Sequence, residues 1–197
     1  VQRNVQLELE VEQLSKALHE YVKDTVAITR LRDEVLRHYT LYSARVVNNS
    51  VTLSDNYITI DKGTADGVTP ELGVVSGSGI VGIVYQTSSH FSLVLPVLNT
   101  KSSISCKINR TDYFGTLKWE GGSSQFTLGD TVVTSGHSAV FPEGIPVGVV
   151  DDMADSHDGL SYRLKVRLFT DFARLNDVSV IRAKVGAEQA DLENNVK

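Results

Sequence analysis

The sequence predicts a mainly β protein: an N-terminal long coiled-coil helix followed by two small six-stranded antiparallel β-barrel-like domains. Three observations predict this class. Apolar residues recur every seven positions at the start of the chain, an alternation of period two takes over after Tyr39, and one strand–glycine pattern occurs twice. The chain accordingly divides into a coiled-coil helix over 1–41, a first β domain over 42–111, a second over 112–184, and a polar tail over 185–197 that is expected to be disordered; insertion of one β unit into the other stays open.

The helix comes first. Leu7, Leu14, Tyr21, Ile28, Val35 and Tyr42 keep one heptad register without a miss. A second seam holds at Val11 and Leu18, then passes through Thr25 and Arg32, so the coiled coil should loosen near Asp24-Thr25. No Gly or Pro precedes Gly63, and seven acidic against six basic residues through Thr40 exclude a polybasic arm. From about Val5 to Tyr42 such a helix would span roughly 57 Å at 1.5 Å per residue, too long to bury its stripe on a small barrel. The seam Leu7, Leu14, Tyr21, Ile28 and Val35 is therefore expected to pair with a second copy. Packing on the chain's own β part, or on a different protein, stays open.

Period-two runs place strands near 43–48, 57–60, 73–76, 80–87, 92–98 and 103–109, then near 113–119, 124–128, 131–134, 146–151, 161–169 and 177–182. Turn residues such as Asn48-Asn49-Ser50 and Gly121-Gly122-Ser123 separate them, as in a barrel pair. The repeated pattern is Tyr57 to Val84 against Val132 to Val150. Each copy stops an aliphatic–threonine run at a glycine (Gly63, Gly136) and passes a glycine turn (Gly67, Gly144). Each ends in an aliphatic run broken by one glycine (Gly82, Gly148). Glycine inside such a run marks a bulge, a bend or a close backbone approach, so Gly63, Gly67, Gly82, Gly136, Gly144, Pro146 and Gly148 are assigned structural roles. First and last glycines lie 19 residues apart in one copy and 12 in the other, so the echo is not a strict repeat.

Composition narrows the function. With 41% hydrophobic and 22% charged residues the chain can bury a core, and a formal charge of −5 with no basic cluster argues against nucleic acid as a partner. The single cysteine, Cys106, takes an inward place in an alternating strand and reads as core. No apolar run reaches the ~18 residues that would cross a bilayer. The chain opens in helical pattern at Val1 without a Met, and a fragment that lacks an upstream membrane anchor is expected.

Most catalytic or ligand-binding motifs fail on context. Gly77-Ser78-Gly79-Ile80-Val81-Gly82 matches a dinucleotide fingerprint in letters, but its glycines open a strand and not a helix, and no acid follows about 20 positions on. His90, His137, Ser135 and Ser138 sit in turns of small residues without a nucleophile elbow. Asp151 to Gly159 concentrates oxygen ligands but lacks the periodicity of a calcium loop, so a solvated hairpin is expected there and no cofactor or metal is called for. In Tyr162 to Phe169, Arg163, Lys165 and Arg167 share the outer face of a strand and are weak candidates for an acidic partner surface.

Taken together, ITIDKGTADGV, GIVGIV followed by Thr87-Ser88-Ser89-His90-Phe91-Ser92, GDTVVTSG, FPEGIPVGVV and Asp177 to Ile181 resemble the rod-shape-determining MreC family, in one order from the helix to about Ala183. The turn after Thr134-Ser135-Gly136 usually carries Leu-Gly-Gly there, where this chain has His137-Ser138-Ala139. An Asp often stands at Asn99, and a Pro near Asp171. The resemblance implies a membrane-anchored, non-catalytic scaffold of the cell-elongation machinery on the periplasmic side of the cytoplasmic membrane. Its implied partners are a second copy, in some cases a filament, the elongation-specific class B penicillin-binding protein, and membrane partners including MreD. The runner-up is a periplasmic adaptor of an export system, which normally returns the chain through a second helix; a trypsin-like hydrolase is third.

Overall fold

A computed structural model describes residues 13, 26–109, 113–118, 129–138, 140–155 and 162–183. Residues 26–36 are helical, and eleven strands follow among the described residues. These are β1 (Tyr39–Asn49), β2 (Ile58–Ile60), β3 (Gly73–Val75), β4 (Ile80–Thr87), β5 (Ser92–Pro96) and β6 (Ile104–Ile108). Then come β7 (Phe114–Leu117), β8 (Thr131–Thr134), β9 (Pro146–Asp155), β10 (Tyr162–Leu168) and β11 (Asp177–Ala183).

Six strands close a barrel in the order β1-β11-β3-β4-β5-β2, all paired antiparallel. Its interior is lined by the alternate residues that the period-two pattern marks: Ile58, Ile60, Val74, Val84, Val94 and Val180 are fully buried. Register shifts at Val46/Asn48, Val74/Val75 and Val84/Gln86 supply the extra twist by which so small a sheet closes on itself. A buried amide latch plugs one end. Asn56 donates Nδ2 to the Leu53 and Leu98 carbonyls (2.6 and 2.7 Å), and Asn99 donates Nδ2 to the Asn56 carbonyl (2.7 Å).

The other strands form a five-stranded sheet, β10-β9-β8-β6-β7. Thr134 organises its connecting loop: its Oγ1 donates to the Pro142 carbonyl and accepts from the Ile145 amide, which ties the Thr-Ser-Gly turn to the Phe-Pro-Glu-Gly segment. Val133, Ile145 and Val147 are fully buried, and Ile104, Cys106, Phe141 and Val150 join the barrel residues in one continuous core.

Two features differ from the sequence expectation. The strand over 177–182, placed in the second unit, instead closes the first: β11 pairs with β1 from Tyr39↔Ala183 to Arg45↔Asp177, and with β3. The sheet is thus inserted between β5 and β11 of the barrel. A second six-stranded barrel is not seen; the described residues give five strands in an open sheet, and the expected strand 124–128 falls outside them. Of the long helix, residue 13 and residues 26–36 are shown; Leu7, Leu14 and Tyr21 lie outside the described residues, and β1 starts at Tyr39, ahead of the expected boundary.

The barrel also explains the unequal echo. Between Gly63 and the start of β4 the chain makes a 3-10 turn (Thr64–Asp66) and the additional strand β3, whereas between Gly136 and the start of β9 the described residues form only a loop.

Candidate interaction surface

The wall of the barrel built by β2, β5 and β4 has two apolar faces. Ile58, Val94 and Val84 point inward, so their neighbours along each strand point out. Pairing sets Ile83, which itself packs against the core, beside Leu95 and sets Leu93 beside Thr59, all half-buried. Tyr85, the residue expelled by the Val84/Gln86 register shift, is 58% exposed, and its ring lies 6.2 Å from that of Tyr57. Lys101, held by Asp55, stands beside Tyr57 at the rim. Aromatic and aliphatic groups with a polar rim are the composition of a protein-binding surface.

A smaller aromatic cluster sits on the sheet. Tyr113 (75% exposed) and Phe114 (54%) lie at and beside the start of β7, and His137 meets the Phe114 ring edge-on at 4.7 Å. Lys107 pairs with Glu143 next to this cluster and, with the nearby His137, holds the Glu143 carboxyl below its usual range.

A groove of about 520 Å³ opens where the helix meets the barrel, lined among others by Arg32, Arg45, Asp61 and Lys62. Its cations are engaged: Arg45 with Asp61, Lys62 with Asp66, and Arg32 with Asp33 and the Ser76 carbonyl. The Arg45 amide, donating to Oδ1 at 2.7 Å, and the Arg45 guanidinium hold the Asp61 carboxyl below the ordinary carboxylate range.

The structure places the sequence-predicted residues as follows. Ile28 is half-buried, and Val35 packs against the β core beside Gly144. A Cβ on Gly82 would fall on the Leu95 carbonyl oxygen, and one on Gly148 on that of Arg167, so both echo glycines mark a close strand crossing. Gly63 is similarly confined by Ser88 and His90, while Gly67, Gly136 and Gly144 occupy turns at positive φ. Pro146 opens β9 and is buried. Arg163, Lys165 and Arg167 lie at alternate positions of β10; Arg167 reaches the buried Asp151 at 3.7 Å, and the Lys165 Nζ is buried with no hydrogen-bond partner among the described residues. Ser135 bonds to Ser105 (2.8 Å) while the His137 ring packs on Phe114. Gly77 and Gly79 lie in the turn that leads into β4. Among the described residues no group of acids, histidines or cysteine gathers as for a metal ion, and no helix is long and apolar enough to cross a membrane.

Sequence reasoning did not single out the Tyr57–Tyr85 face. Its signal was present: Ile80 to Tyr85 and Leu93 to Leu95 carry apolar residues at odd and even positions alike, which a strand with one wet face has no need of.

The family profile for rod shape-determining protein MreC, barrel core, matches residues 46–182. The chain belongs to the MreC family. The cell shape-determining protein MreC of Listeria monocytogenes is 29% identical over 201 residues, covering 94% of this chain; the chain spans 66% of that relative's length, just under two thirds. The solved structure of MreC from Listeria monocytogenes superposes with a TM-score of 0.66 at 28% identity, covering 92% of this chain and 91% of that one. MreC from Helicobacter pylori, solved as a complex with penicillin-binding protein PBP2, shares the fold at a TM-score of 0.55 and 18% identity, covering 74% of this chain and 99% of that one.

Proposed function

We propose that the chain is a non-catalytic scaffold of the bacterial cell-elongation machinery, on the periplasmic face of the cytoplasmic membrane, that binds and activates the elongation-specific class B penicillin-binding protein. The observation that carries the reading is the solvated Tyr57–Tyr85–Leu93–Leu95 wall in a chain of this family. The complex formed by the Helicobacter relative supports the class of partner. Self-association through the upstream helix (Leu7, Leu14, Tyr21, Ile28), Val35 being taken up by the chain's own β core, and contacts with MreD and other membrane partners complete the proposal. Arg163 and Arg167 remain candidates for an acidic part of a partner, whereas Lys165, whose Nζ is buried, does not.

A titration of the 197-residue chain against the extracytoplasmic part of the elongation transpeptidase tests it. Saturable binding is expected, and Tyr85→Ala should weaken it by about 2 kcal/mol, roughly 30-fold, if Tyr85 is an anchor residue. Leu93→Asp should act likewise. Both sit on the outer wall, so the unfolding midpoint should hold. Binding unchanged by both variants would remove the wall from the interface, and no binding by the folded chain would sink the scaffold reading.

A further inference from the structure

Three parts of the molecule meet at the turn Ser76 to Gly79, between β3 and β4. The turn is closed by the Ser76 amide donating to the Gly79 carbonyl (2.8 Å). From the helix, Arg32 Nη1 donates to the Ser76 carbonyl at 2.7 Å. From the segment that leads out of the sheet toward β11, Thr170 Oγ1 donates to the Ile80 carbonyl (2.7 Å) and lies 2.9 Å from Ser76 Oγ. Ser76 and Thr170 are both buried. The single Thr170 hydroxyl proton goes to Ile80; the Ser76 hydroxyl has one proton for two acceptors, Thr170 Oγ1 (2.9 Å) and the Gly79 carbonyl (3.1 Å), and itself accepts from the Ser78 and Gly79 amides (3.2 and 3.1 Å).

The backbone around this cluster is in contact on both sides. A Cβ on Gly79 would lie 2.7 Å from the Pro146 carbonyl oxygen of β9, and one on Gly73 the same distance from the Val140 oxygen. The helix end touches both units, with Leu36 in the common core and Val35 Cγ2 3.2 Å from where a Gly144 Cβ would be. At Gly73 the Phe141 ring fills the crossing, its Cε1 also 2.7 Å from that Cβ position, whereas at Gly79 the nearest contact is main chain. A rotation of the sheet on the barrel would therefore push on the Ser76 turn through Gly79, and the same turn carries the helix.

We propose that Arg32, Ser76 and Thr170 form a clamp that makes the direction of the helix and the angle between barrel and sheet a single variable. A pull or twist on the helix is then delivered to the joint between the two β units, and a partner that fixes that joint fixes the helix. The inference goes beyond the scaffold reading and does not depend on which protein binds.

Distance measurements between spin labels on the full chain test it. Labels at Arg30→Cys on the helix, Gln86→Cys on the barrel and Thr116→Cys on the sheet, all exposed positions, give the helix–sheet and barrel–sheet distances; the buried Cys106 stays unlabelled. Arg32→Gln, which touches only the helix side of the turn, should broaden the barrel–sheet distribution as well as the helix–sheet one. Thr170→Val should broaden the helix–sheet distribution although Thr170 does not touch the helix, and Thr170→Ser should restore both. If Thr170→Val fails to fold, Arg32→Gln alone decides. A barrel–sheet distribution left unchanged by Arg32→Gln, with the helix–sheet one broadened, would overturn the coupling.

Discussion

Replacing Gly82 by alanine tests whether the barrel is held by direct contact of its strand backbones. The new Cβ would fall on the Leu95 carbonyl oxygen and 2.6 Å from Pro96 Cα, both backbone atoms of the paired strand β5. No rotamer change relieves this. Strand β4 must move by about an ångström at a point where Val81 and Val84 fill the core, and overpacking of that kind typically costs 1–3 kcal/mol, here about 3 because the obstacle is main chain. For a chain of this length about 3 kcal/mol lowers the thermal midpoint by roughly 6–12 °C.

Gly148→Ala should cost about the same by the same argument, since its Cβ would fall on the Arg167 oxygen of β10. Gly115→Ala is the internal control. Nothing lies within 4 Å of its Cβ position and its φ is not positive, so loss of chain entropy in the unfolded state should raise stability by about 0.5 kcal/mol. Because barrel and sheet share one core, calorimetry should show one transition for all three variants, shifted down, down and slightly up. Gly82→Ala within 1 °C of the parent would refute the close crossing, and two separable transitions would refute the shared core.

Three further outcomes are expected. Asn99→Asp removes the amide that donates to the Asn56 carbonyl and puts a carboxylate in a buried site, so urea denaturation should show a loss of about 3 kcal/mol that shrinks as the pH is lowered. Burial pushes the Cys106 thiol up to about 12, so at pH 8 only about one molecule in 10,000 carries the thiolate, and alkylation of the native chain should be far slower than in denaturant. Asp61, Asp66 and Glu143 are held below the usual carboxylate range by their amide and cationic partners; the stability they contribute is full above about pH 5 and is lost as the pH falls through their folded values, an acid limb that Asp61→Asn should flatten.

Local pattern carried the strands. Alternation in Tyr162 to Leu168 marked Leu164, Val166 and Leu168 as the residues that pack on the core, and the lone glycine in each aliphatic run marked a strand crossing. Alternation states which face a residue takes and not which strand lies beside it, and this is why β11 read as part of the second unit. The Tyr57–Tyr85 wall was hidden for a related reason: in Ile80 to Tyr85 both faces are apolar, and nothing in the run tells the inner from the outer. Arg32 is separated from Ser76 by 44 residues, and Thr170 by 94, beyond what any window of the sequence connects.

The return of β11 has a consequence for folding that a truncation can test. Strands β1 and β3 both depend on it: seven residue pairs with β1 and three with β3 run through Asp177–Ala183, and Val178, Val180 and Ile181 contribute buried side chains. Without β11 the barrel has two open edges and a hole in its wall. Residues 39–111, which contain the other five barrel strands, should therefore not fold cooperatively, and should bind a hydrophobic dye or aggregate as unpaired edges do. Residues 39–183 should fold, but slowly, because the barrel closes only after a contact between ends of the chain more than 130 positions apart. A cooperative unfolding transition in the 39–111 fragment would show that five strands suffice and that β11 only caps a barrel already formed.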